Sequence, residues 1–470
     1  MLSMENELYQ DKNENNKLSS PFWVTGGMTE RLLQFIWQFQ YFNRSELTST
    51  SGEVVQILFP GQYNTNQGPD FGDARIKIGR TAWAGTVELH LKTTDWKKHN
   101  HQEDKNYNNV ILHVVWDDDG SRPDSYRDVP VNSAEKSSVI QNKTEQSSLI
   151  PVLELRNRVS KILLQRYEEL MKSSAFIPCE KSIHSVRDIV WKSWKERLLA
   201  ERLIRKAKVV ETYLQQNKHH WEETFWWLLA KNFGMKVNAD AFEAMAKSIP
   251  VNILSKHKTQ LHQLEALLLG QAGLLNEKFI EDYPKLLQRE YKFLKKKYKL
   301  NSIHHPIHFL RMRPGNFPTI RLAQLAMLIT GSAHLFSKIK EAVVVKEISK
   351  WFDVTANDYW HYHYHFNEIT AFKKKKPGAA MIDNIIINTL CPVLFAYGNY
   401  YDEHKYKVKA LQWLEQTSPE ANSITKGFQK LALQNKNAFD SQALIELKNE
   451  YCSKKRCLDC GVGNSILKSR

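Results

Sequence analysis

Two short stretches carry residue types that could do metal chemistry. "GPDFGDARIKIG", residues 68–79, opens with Pro69-Asp70, and "ELHLK", residues 88–92, carries Glu88, His90 and Lys92 at alternate positions. In an extended strand, residues two apart share a face. Glu88, His90 and Lys92 therefore point one way and Val87, Leu89 and Leu91 the other. A pair of carboxylates offers the hard oxygen ligands that Mg²⁺ or Mn²⁺ requires. The ion would activate a water and neutralise phosphodiester charge, and a nearby cation would stabilise the transition state. The competing reading is a polar sheet face satisfied by its neighbours.

Downstream, "DWKKHNHQEDK" holds His99 and His101 between Asp95 and Asp104, and His113 lies in "VILHVVW". Neutral imidazoles and carboxylates suit Zn²⁺ or Mn²⁺. Together with His90 these residues define an alternative metal set and a zinc-dependent hydrolase as the alternative enzyme. His113, inside an apolar strand, also reads as a hydrogen-bonded core histidine. "WHYHYHF", residues 360–366, reads as a packed aromatic segment.

A third cluster lies near the C-terminus. "YCSKKRCLDCGVG" places Cys452, Cys457 and Cys460 within nine residues. Short loops let thiolates converge on one ion, and Cys179 in "FIPCEK" is the best fourth partner. Four thiolates suit structural Zn²⁺ or a [4Fe–4S] cluster. Cys391, in an apolar run, reads as core. Five cysteines in 470 residues do not make a disulfide framework.

Lys and Arg total 66 against 51 Asp and Glu, a formal charge of +15. That balance favours an anionic partner, nucleic acid first. "RMRPGNFPTIR" sets Arg311, Arg313 and Arg321 beside a turn and a helix start, where phosphates are bound. The other reading of Arg311 and Arg313 is pairing with internal carboxylates such as Glu265. "KFLKKKYK" and "FKKKKPG" add lysine clusters. No apolar run approaches the roughly 20 residues of a membrane span, and the polar N-terminus lacks a signal core. A cytoplasmic protein with no membrane partner is expected; nothing specifies a protein partner.

The elements that must position these residues follow from periodicity. Residues 1–28 read as a disordered tail. A helix starts after Thr29 and buries Leu32, Leu33, Phe35, Ile36 and Phe39. Strands are expected over 53–60, over "FGDARIKIG" and "AWAGTVELHLK", and over 110–116, with a short helix before the last. Residues 121–148 read as a flexible loop or insertion, and 149–470 as a helical domain, beginning with "LELRNRVSKILLQRYEELMKSS".

"NQGPDFGDARIKIG", "WAGTVELHLKTTDWKKHNHQ", "ERLIRKA", "GQAGLL" and "RMRPGNFPTIRLAQLA" together resemble an uncharacterised bacterial family, domain of unknown function 2851. The resemblance implies no activity. The αβββαβ order of residues 29–120 is similar to the core of PD-(D/E)xK nucleases, in which an Asp opens the second strand and an acid-x-Lys triplet lies on the third. That resemblance implies Asp70, Glu88, His90 and Lys92 as catalytic residues, with Asp70 and Glu88 holding Mg or Mn. His stands where the pattern has Lys. The expected protein is α+β, a nuclease-like domain followed by an all-helical one. Its expected function is a metal-dependent nuclease, or else a non-catalytic nucleic-acid-binding or scaffold protein with a degenerate nuclease fold.

Overall fold

The computed structural model describes residues 28–120, 150–301, 303, 305–310, 312–332 and 334–468. The expected tail, apart from Met28, and the expected 121–148 loop lie outside them. The chain is α+β, with an N-terminal sheet followed by a largely helical region. It divides into two compact units, residues 1–190 with 451–470, and residues 191–450. The C-terminal cysteine segment, placed in the helical domain by its sequence position, thus belongs to the sheet-bearing unit.

In the first unit, α1 (Glu30–Gln38) begins where the Thr29 hydroxyl oxygen accepts the Leu32 N–H at 3.1 Å. Leu32, Leu33, Phe35 and Ile36 are buried, as their spacing requires, whereas Phe39, expected with them, follows the last helical residue and is exposed. The strands are β1 (Val55–Phe59), β2 (Gln62–Tyr63), β3 (Phe71–Ile78), β4 (Thr81–Lys92), β5 (Val110–Asp117) and β6 (Val152–Glu154). The sheet order is β1-β3-β4-β5-β6, with β2 beside β3. β3 and β4 form an antiparallel hairpin, whereas β5 runs parallel to β4 and β6 parallel to β5. A parallel pair needs a crossover, supplied here by α2 (Asp95–Lys98) and a 3₁₀ turn at Lys105–Tyr107. β2 and β6 were not expected. β6 takes the first residues of a segment whose periodicity predicted helix; the helix α3 starts only at Lys161 and runs to Lys172.

β3 alternates as predicted, with Ala74, Ile76 and Ile78 buried against exposed Asp73, Arg75 and Lys77. The register shifts between Phe71 and Ala74. Asp73 sits at a φ of 57°, so the extra residue forms a bulge. β4 does not alternate: Val87, Glu88, Leu89 and His90 are all buried. α1 packs against β4, and the crossover lays Trp96, His101 and Tyr107 against His90, either directly or through one another. A central parallel strand is buried on both faces. Glu88 and His90 of β4 therefore lie inside the protein.

The second unit is helical, and its core draws on Phe225, Phe233, Phe242, Phe336, Trp360 and Trp413. One run, Ala379–Tyr400, is 22 residues long and apolar enough to cross a membrane, contrary to the expectation that no such run exists; 67% of its apolar window is buried among the other helices. Trp360 lies in a short helix, Asp358–His361, and a β-bridge joins His363 to Ile369, so the alternating His-aromatic run is not one extended strand. Glu265 is fully buried. Its carboxylate accepts bonds from the Tyr283 hydroxyl at 2.8 Å and the Trp360 indole N–H at 3.1 Å, both to one oxygen. No arginine pairs with it among the described residues.

Burial raises the Glu265 pKa to about 7, against an ordinary value of 4.5. The folded state thus prefers the protonated acid. The stability linked to Glu265 is fully present below about 4.5 and is lost as pH climbs through about 7. The melting temperature of the wild type should drop relative to Glu265→Gln by about 5 °C on moving from about pH 5 to about pH 8. A constant difference between the two proteins over this range contradicts the prediction.

Candidate metal centre

The parallel register of β4 and β5 sets Glu88 opposite His113 and His90 opposite Val115, so Glu88, His90 and His113 share a face. The crossover then brings two further imidazoles over that face. His90 Nε2 lies 3.1 Å from His99 Nδ1 and 3.2 Å from His101 Nε2. Glu88 Oε1 lies 3.5 Å from His90 Nε2 and 3.4 Å from His101 Nε2. The ligand atoms of His90, His99 and His101 all fall within 4.8 Å of one another.

These spacings have a chemical meaning. Four ligands about 2.0–2.1 Å from a Zn²⁺ ion define a tetrahedron with edges of about 3.3 Å. Four of the six edges span 3.1–3.5 Å, and the imidazole nitrogens all lie within 4.8 Å of one another. A ring nitrogen offers either one proton or one lone pair. His90 Nε2 therefore cannot make linear hydrogen bonds to two imidazoles and a carboxylate at once, whereas a cation among them would satisfy all four donors. Three nitrogens and one oxygen suit Zn²⁺ or Mn²⁺ better than Mg²⁺.

The surroundings fix these donors. His90 Nδ1 lies 2.9 Å from His113 Nε2. Burial, with the nearby His101, pushes the His113 pKa down to about 3, so His113 is neutral. A neutral His113 can accept the Nδ1 proton of His90 and so leave Nε2 as the ligating atom, the usual support for a metal-binding histidine. Read from sequence as a possible ligand, His113 instead stands behind one. Glu88 Oε2 accepts the Asp70 N–H at 3.0 Å, which leaves Oε1 to face the imidazoles. The Tyr107 ring stacks on His101 with centroids 3.8 Å apart. Burial, and then the charges of Glu88, Asp70 and Asp104, raise the Tyr107 pKa, so its hydroxyl stays protonated.

The structure brings Asp70 to Glu88 but through the backbone. The Asp70 carboxylate accepts the Leu89 N–H at 3.1 Å on one oxygen and the Gln34 side-chain amide at 2.8 Å on the other. Asp70 anchors the β3–β4 pairing and α1, and the imidazoles take the place expected for it beside Glu88. Lys92, expected on the same face, is exposed at the end of β4 while its N–H donates to Asp95. Of the expected phosphate contacts, Arg313 is exposed and Arg311 lies outside the described residues. Arg321 is not at the surface: it is 5% exposed and donates to Gln324 at 2.9 Å and Asn316 at 2.5 Å. Burial lowers its pKa to about 10. Helical periodicity assigned it no face, because its helix, Pro318–Gly331, is buried nearly all round. Gln34 and Tyr107 were missed; neither lies in a motif, and only the tertiary fold reveals them.

Residues 30–423 match the family described as a protein of unknown function (DUF2851), and the chain belongs to that family. No curated protein and no solved structure matches it.

Zn²⁺ or Mn²⁺ at about 100 times its Kd should stabilise metal-free protein by about 2.7 kcal/mol in a thermal-shift titration. His101→Ala should abolish that response, and His113→Ala should weaken affinity about 10–100-fold. Lys92→Ala should leave it unchanged. An undiminished response in His101→Ala contradicts the assignment.

Proposed function

We propose that the chain is a metal-dependent hydrolase of nucleic-acid phosphodiesters, with a Zn²⁺ or Mn²⁺ ion held by His90, His99 and His101 and the Glu88 carboxylate beside it. The observation that carries this reading is the convergence of three imidazoles within 4.8 Å of one another, with the Glu88 carboxylate 3.4–3.5 Å from two of them. A bound ion would lower the pKa of a water and offset charge on the phosphodiester. Glu88, with one oxygen held by the Asp70 N–H, presents the other as proton acceptor. Tyr107 remains a hydrogen-bond donor beside two carboxylates. The net charge of +15 supports a polyanionic substrate. Asp70 and Glu88 on successive strands also support kinship with PD-(D/E)xK nucleases, with the metal shifted onto the histidines.

Burial favours a second reading, a structural metal in a non-catalytic nucleic-acid-binding protein. Glu88 is 5% exposed, His90 1% and His101 9%. With Glu88 as a fourth ligand, the protein donors close a structural site. A surface cleft of about 830 Å³ over Gly72–Arg75 and Ala84–Thr86 is lined by none of them. Under the hydrolase reading, DNA or RNA is cleaved with Mn²⁺ or Zn²⁺, and Glu88→Gln, still folded, loses at least about 100-fold in rate. Cleavage that survives in Glu88→Gln rules this reading out. Metal-stabilised wild type that binds DNA or RNA but cleaves neither establishes the second. Under either reading, affinity for nucleic acid falls steeply as salt rises.

A further inference from the structure

The sheet-bearing unit is closed by a segment distant in sequence. Residues 451–470 return to it after the whole of 191–450. This segment docks on α1 and α3: Arg31 pairs with Asp459, the Tyr41 hydroxyl donates to Asn464 at 2.8 Å, and Lys455 reaches the Met171 carbonyl. Its first ten residues have little apolar content. Ser453, Lys454, Lys455 and Arg456 are exposed, and the buried side chains are Cys452, Cys457 and Cys460 with Tyr451 and Leu458. Cys179, which caps the 3₁₀ turn Glu180–Ser185, lies at the other end of the insertion. The C-terminal helix Gly461–Lys468 packs against both α3 and that turn. Cys179 is close enough to Cys460 and Cys457 for their charges to act on it.

All four cysteines are 6–8% exposed and none forms a disulfide. Backbone geometry fixes two of them within one tight turn. The Cys460 N–H donates to the Cys457 carbonyl at 3.3 Å, and the Asn464 N–H donates to the Cys460 carbonyl at 2.8 Å. A Cβ on Gly463 would lie 2.2 Å from the Cys457 carbonyl oxygen, so only glycine permits this approach. The Lys455 N–H likewise closes a turn on the Cys452 carbonyl at 3.2 Å. Buried cysteines usually pack as small apolar groups. Here they supply most of the inward side chains of an otherwise polar segment, and Lys455 lies near enough to Cys457 to offset negative charge.

We propose that Cys179, Cys452, Cys457 and Cys460 bind an iron–sulfur cluster that clasps the two chain segments flanking the helical unit; no three of their sulfurs lie within the 4.8 Å of one another that a single zinc ion would require. The centre is independent of the histidine site. It links the point where the chain leaves the first unit to the point where it returns. Closing so long a loop restricts the unfolded chain strongly.

The test uses full-length protein purified reduced and without oxygen, and reconstituted with iron and sulfide. About four iron with charge-transfer absorbance should bind per chain. His101→Ala should retain this iron and Cys460→Ser should lose it. In wild type the four thiols should resist a thiol reagent until the iron is stripped, a readout that needs no variant to fold. Failure to take up iron and sulfide, or iron content unchanged in Cys460→Ser with freely reacting thiols, overturns the proposal.

Discussion

The candidate site depends on packing a buried carboxylate and two buried imidazoles against a third, half-buried imidazole. Charged and polar groups removed from water must be compensated. Protons alone cannot satisfy every short contact around His90 Nε2, because that atom meets two nitrogens and an oxygen between 3.1 and 3.5 Å away. A divalent cation would resolve the conflict. The neutral His113 behind His90 and the Asp70 N–H behind Glu88 orient the donors toward the centre.

The sheet topology places these donors. β4 is long enough to pair antiparallel with β3 along its first half and parallel with β5 along its second. The parallel half requires a crossover, and the crossover delivers His99, His101 and Tyr107. The same connection that covers the sheet therefore completes the site. Asp70 contributes at one remove: its carboxylate holds the Leu89 N–H and Gln34, fixing the strand pairing that aims Glu88.

Part of this was legible in the sequence. Alternation in β3 and the two-residue spacing of Glu88 and His90 gave their shared face, and the density of histidines pointed to an alternative metal set. The partition of donors was not legible. Whether Glu88 serves with Asp70 or with the imidazoles depends on how seventeen crossover residues, 93–109, fold back, and no periodicity encodes that. Lys92 shares its spacing with His90 but stands where β4 ends and the cover stops. Arg321 looked like a surface cation because its motif is basic, yet its helix is buried nearly all round. The short strand β6 was masked by the helical period that follows it. For Arg321, the phosphate-binding reading of "RMRPGNFPTIR" thus reflected composition rather than exposure.

The most direct measurement is anomalous diffraction from crystals of the chain loaded with Zn²⁺ or Mn²⁺, collected on either side of the metal edge. The account predicts a peak about 2.0–2.2 Å from His90 Nε2, His99 Nδ1 and His101 Nε2, with Glu88 Oε1 beside it. An ion bridging Asp70 and Glu88 away from the imidazoles, or an imidazole cluster that stays metal-free at saturating metal, would contradict it.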